Sequence, residues 1–172
     1  MVPALGSEAA ASVVAPCFDA VRDVFSSYEP EPGHPLILLA KTRLLIDAEA
    51  GDDERHFARC RTDGRQIELA PQAADLPIET LTAILSHEFG HAADFTYPAH
   101  FRLVGRYQPA QWKPPNGRRS VRKVRDWEGR TDDQIEWAAD AIAYLVTGRK
   151  IGYCGPCMVQ CFSGRSRPAG LR

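Results

Sequence analysis

From Pro77 onward the chain carries apolar residues at helical steps: Ile78, Leu81, Leu85, Phe89 and Ala92. Inside that stripe stands His87-Glu88-Phe89-Gly90-His91. On a helix, residues four apart share one face, about 40° apart, so the two imidazoles point the same way. Together they can grip one Zn2+ at about 2.0–2.1 Å each. Glu88 is turned too far to join that grip, but it is close enough to take a proton from a water the ion polarises. With five His and ten Glu in 172 residues, random placement produces about 0.01 such motifs per chain. The plain alternative is two ordinary histidines on an amphipathic helix. The surrounding stripe disfavours it, because it would carry two bare imidazoles into the interior.

This helix is expected to start at Pro77, whose fixed φ suits a first turn, with Glu79 favouring the dipole. It should stop before Pro98. A second helix is predicted from Thr131-x-x-Gln134, a capping box, through Ile135, Ala138, Ile142 and Leu145 to Gly148. Upstream, Phe18, Val21, Val24 and Phe25 predict a helix near 16–28, preceded by a frayed start over 1–12. Leu36-Ile-Leu-Leu39 and Leu44-Leu-Ile46 read as short strands. The runs 56–61 and 65–69 flank Thr62-Asp63-Gly64, a hairpin signal. The strand around Gln66–Leu69 is expected at a sheet edge, where a substrate peptide adds as a further strand.

A catalytic zinc needs a third protein ligand and an open position. Glu136, on the second strong helix, is the leading candidate. Asp140, four residues on, shares its face and can orient a ligating imidazole by accepting its other N–H. Ala138, Ala139 and Ala141 border the pair and let helices approach closely. His100 is the runner-up. The extended motif with a third histidine needs it six residues after His91, and that position is Tyr97. Asp94, one turn beyond His91, is placed to cap or orient that ring and is a poor third ligand. His34 and His56 read as surface or strand residues.

Leu85-Ser-His-Glu-Phe-Gly-His-Ala92 followed by Glu136-Trp-Ala-Ala-Asp140-Ala-Ile-Ala resembles the ImmA/IrrE family of bacterial and phage metallopeptidases. That family is similar to the gluzincins, whose third ligand is a glutamate on a later helix. The resemblance covers about residues 35–150. It implies His87, His91 and Glu136 as zinc ligands, Glu88 as catalytic base and Asp140 behind a ligand histidine. It also implies a small sheet before the active-site helix, and a repressor or stress regulator as substrate. No helix-turn-helix module is found here, and the insert between the helices and the Cys-rich tail depart from a minimal member.

The expected fold is therefore a single α+β domain of zincin type, two helices carrying the site beside a small β-sheet. Its organisation reads as an N-terminal helical segment over 1–30, a metallopeptidase domain over 31–150 with a basic insert at 98–130, and a Cys/Gly/Arg-rich tail at 151–172. Length and composition agree: 44% hydrophobic and 25% charged residues suit a globular chain. The longest charge-free run, 151–164, is broken by Gly and Pro and fits no membrane span. The start of the chain has no basic residue before Arg22 and carries Glu8 early, unlike a secretory signal, so a cytoplasmic setting is expected. Five cysteines in a reducing compartment make a disulfide framework improbable.

Residues 101–130 hold nine Lys/Arg against Asp126 and Glu128, net +7, so the rest of the chain carries −8 of the overall −1. The cluster Arg118–Arg125, near Trp112 and Trp127, suits a solvated loop over the cleft, an electrostatic selector of acidic partners, or a nucleic-acid contact, which is not favoured. Cys154, Cys157 and Cys161 are candidates for a second metal site, with Cys60 as a fourth thiolate, though free tail thiols are preferred.

The leading function is a zinc metallopeptidase, of the metalloendopeptidase kind, hydrolysing a protein or peptide. Candidate oxyanion donors are Tyr97, His100, Tyr107 and Tyr144. The alternatives are a non-catalytic regulatory protein that keeps the zinc scaffold, and a nucleic-acid-associated factor using 118–125. A His/His/Glu set also accepts Mn, Co or Fe.

Overall fold

The computed structural model describes residues 7–47, 57–101, 104 and 130–149. The chain is α+β. The helices are α1 (Ser7–Ser27), α2 (Ile78–Thr96), α3 (Pro98–Phe101) and α4 (Asp132–Thr147). The strands are β1 (Arg43–Ile46), β2 (Ala58–Cys60) and β3 (Gln66–Leu69). Two 3-10 turns, Ile37–Lys41 and Pro71–Asp75, link them.

Helix α1 starts well before residue 16. Ala10 and Val14 are buried in line with Phe18, Val21 and Phe25, so the apolar stripe reaches back through small residues that carry little periodic signal. Pro16 lies inside the helix but on its exposed side. The stripe joins the core of the rest of the molecule: Phe18 and Phe25 pack on Phe89 of α2, with ring centroids 5.2 and 5.4 Å apart.

The run 36–39 is a 3-10 turn rather than a strand. Leu36 and Leu39 are buried while Ile37 and Leu38 face outward, a period of three instead of two. The runs 44–46, 56–61 and 65–69 each contain a strand, as expected. The sheet order is β1-β3-β2, with β1 parallel and β2 antiparallel to β3. Strand β3 is thus central, and both of its sides are taken, which corrects its expected place at an edge. Its Ile67 and Leu69 are fully buried.

The β2–β3 hairpin turns at Gly64, whose φ of +67° is the left-handed conformation glycine adopts without strain. The Asp63 carboxylate accepts from the Arg65 N–H at 2.9 Å. A Cβ on Gly64 would come within 2.8 Å of the Ala92 carbonyl oxygen, so the turn sits directly against α2. Pro77 caps α2 from outside its first turn, and the helix ends at Thr96 before Pro98. The capping box at Thr131/Gln134 opens α4, and Gly148, at φ +64°, closes it.

No described helix is long and apolar enough to cross a membrane. The first six residues, most of the 98–130 insert (Tyr107, Trp112, Trp127 and the 118–125 cluster included), His56, and the tail with Cys154, Cys157 and Cys161 lie outside the described residues.

Candidate metal centre

Helices α2 and α4 lie antiparallel in close contact. A Cβ on Gly90 would stand 2.8 Å from the carbonyl carbon of Ala139, closer than real side chains approach. Ala138, Ala139, Ala141 and Ala143 on α4 are all fully buried. The absence of side-chain bulk on both helices brings their polar faces together.

On that seam three donor groups converge. His87 Nε2 and His91 Nε2 are 3.1 Å apart. Glu136 places Oε2 3.1 Å from the first and Oε1 3.4 Å from the second. All ligand atoms of the three residues lie within 4.8 Å of one another. Two imidazole nitrogens this close to each other and to a carboxylate need a positive centre among them, a shared proton or a metal ion. The donor set itself, two imidazoles and a carboxylate from two helices, suits a divalent transition metal.

The two histidines are held differently. His87 Nδ1 donates to Asp140 Oδ1 at 2.7 Å, and Asp140 is fully buried. That bond fixes the proton on Nδ1 and leaves the Nε2 lone pair for the cluster. The His91 ring instead stacks on Phe95, with centroids 5.8 Å apart and planes 14° apart. Its Nδ1 is buried and has no hydrogen-bond partner among the described residues. Glu136 is the open side of the cluster, its side chain 38% exposed against 3% for His87.

The electrostatics follow from this geometry. Burial alone would lower the His87 pKa, but the Asp140 and Glu136 carboxylates outweigh it and hold the ring well above its ordinary 6.5. Burial pushes Glu136 up, yet the two imidazoles prevail and hold it well below 4.5. Glu88 goes the other way. Burial raises it, and Glu136 adds to the rise, against the opposing pull of His87, His91 and a Cys60 backbone amide. A carboxyl raised toward neutrality beside a candidate metal site is poised to accept and return a proton.

The other candidates sit elsewhere. His100 Nδ1 faces Glu31 Oε1 at 3.5 Å and is not in the three-residue group. The Tyr97 hydroxyl accepts the Leu38 N–H at 2.8 Å, which ties that ring to the first 3-10 turn. Tyr144 is half-buried on α4, two turns beyond Glu136. Cys60 is a free thiol on β2. Burial pushes its pKa up, and the Glu88 charge pushes it further, so it lies near the carboxylate base.

Asp94 does not orient His91. It binds Arg130, with Oδ2 2.6 Å from Nη2, and both side chains are buried. Arg130, the last residue of the basic segment, thus belongs to the helix seam, immediately before the capping box of α4. Comparison with known family models, with curated proteins and with solved structures finds no match.

Proposed function

We propose that this chain is a zinc metallopeptidase of the gluzincin kind, similar to ImmA/IrrE proteins, hydrolysing a peptide bond in a protein or peptide. The observation that carries the reading is the convergence of His87, His91 and Glu136 with Glu88 buried alongside. His87, His91 and Glu136 would hold a divalent ion, which would supply Lewis acidity toward a carbonyl and a water. Glu88 takes a proton from the attacking water and passes it to the departing amine, so the carboxylate is restored at the end of the cycle. Asp140 keeps His87 in the tautomer that binds the ion.

An extended substrate suits the geometry. Among the described residues β2 pairs on one side only, with β3. A Cys60 backbone amide on β2 faces the Glu88 carboxylate. A peptide laid along the other side of β2 would therefore run past the base. We place the protein in the reducing cytoplasm, where cysteines stay as thiols.

Elemental analysis of the purified full chain tests the centre. The expected result is one zinc per chain, lost in Glu136→Ala and kept in His100→Ala. Incubation of the zinc-loaded chain with a mixed peptide library, read by mass spectrometry of new termini, tests the chemistry. Cleavage that a chelator abolishes and zinc restores is expected. A metal-replete wild-type chain without bound metal would overturn the proposal.

A further inference from the structure

Three rungs tie α2, in opposite chain order, to α4 and to the residue just before its cap. His87 meets Asp140, His91 meets Glu136, and Asp94 meets Arg130. Residues 87, 91 and 94 share one face of α2. The first two rungs are the candidate metal centre; the third is an ion pair whose side chains are 3% and 1% exposed. Such a pair is a weak source of net stability, because desolvation offsets the attraction, but it demands one geometry.

That geometry bears on Glu136. Arg130 directly precedes Thr131, whose capping box fixes where α4 begins. Holding the guanidinium against Asp94 therefore fixes the start of α4 relative to the last turn of α2. Glu136 stands one turn into α4, and its side chain is the most exposed of the three donors. The alanines and Gly90 at the seam set how close the helices come, but small side chains offer little resistance to sliding along the axis.

We infer that Asp94 and Arg130 are a positioning pair that sets the register of α4 so that Glu136 meets the two imidazoles. The inference rests on the metal centre proposed above. Neither residue belongs to the converging donor group, and both act through Glu136.

The test uses the full chain and Co2+ alone as probe, whose visible spectrum reports its coordination. Affinity and spectrum are measured for wild type, Arg130→Met, Arg130→Lys, Glu136→Gln and the double variant Arg130→Met/Glu136→Gln. Arg130→Met is expected to weaken Co2+ binding about ten-fold or more and to move the spectrum toward that of Glu136→Gln. Arg130→Lys, which keeps the charge, is expected to recover part of both. In the Glu136→Gln background Arg130→Met is expected to cost clearly less, the remainder coming from Asp140, which rides on the same helix.

Unchanged affinity and spectrum in Arg130→Met overturn the positioning role. Equal losses with and without Glu136 also overturn it, because they mark a general loss of structure. Should Arg130→Met fail to fold, Asp94→Asn is compared in the same two backgrounds with the same criteria. A wild-type chain that binds no Co2+ overturns the metal centre itself, and the positioning role with it.

Discussion

His87 Nδ1 lies 2.7 Å from Asp140 Oδ1, and this contact determines which nitrogen of His87 faces Glu136. The bond joins a residue of α2 to one of α4, 53 positions apart. It holds the ring and adds negative charge behind it, which raises its basicity toward a cation. Asp140→Asn keeps the shape and removes the charge. Metal affinity is expected to fall about 10- to 100-fold while the stoichiometry stays at one. Competition against a chelator of known strength measures it. Undiminished affinity would mean that Asp140 serves packing alone.

The same carboxylates set a pH dependence. In the metal-free chain His87 is raised above 6.5 and Glu136 lowered below 4.5. The His87 contribution to stability is complete below 6.5 and lost as pH rises through its folded value. The Glu136 contribution is present above 4.5 and lost as pH falls through its folded value. The metal-free chain should thus gain most from this cluster between about pH 4.5 and 6.5. Zinc competes with the proton on His87, so its stabilising increment should grow as pH rises from 5 to 8. Thermal midpoints with and without zinc across that range provide the check. An increment that shrinks with rising pH would contradict the assignment.

Gly90 separates two effects of alanine. In an exposed helix interior Gly→Ala stabilises by about 1 kcal/mol. Here the added Cβ meets the Ala139 backbone, which has no flexible end to move aside. Gly90→Ala is expected to destabilise the chain by about 1–3 kcal/mol as α2 and α4 are forced apart. It should weaken metal binding as well, since Glu136 moves with α4. Urea titration with and without zinc reads both effects. A stabilised variant would mean that the two helices are not in close contact at this point.

Much of this site was legible because its signals are local. The His87/His91 spacing, the Asp63-Gly64 turn and the Thr131/Gln134 box each depend on residues a few positions apart. Tyr97 at the position where a third histidine would stand points away from a three-histidine set, Asp140 shares a helix face with Glu136, and the structure brings those two carboxylates to the imidazoles. What escaped reading was nonlocal or too short. Four apolar residues at 36–39 cannot distinguish a period of two from three, so a 3-10 turn passed for a strand. The central place of β3 depends on a parallel partner, Arg43–Ile46, that no turn connects to it. Arg130 resembled its basic neighbours in sequence; only the fold pairs it with Asp94.

Glu88 carries the remaining test. It is 5% exposed, and burial raises its pKa, with Glu136 adding to the rise against the two imidazoles and the Cys60 amide. A carboxyl raised in this way is disfavoured as an anion, so above pH 4.5 its charge works against folding. Glu88→Gln removes that charge with little change of shape. The metal-free chain should be at least as stable as wild type near pH 7. Metal content should stay at one, because Glu88 is not among the converging donors. Peptide-bond cleavage should fall by about 10^2- to 10^4-fold through loss of the proton acceptor. Elemental analysis, a thermal melt and a single-substrate rate on one preparation distinguish these outcomes. A variant that keeps both metal and full turnover would remove Glu88 from the chemistry, and one that loses the metal would make it a ligand instead.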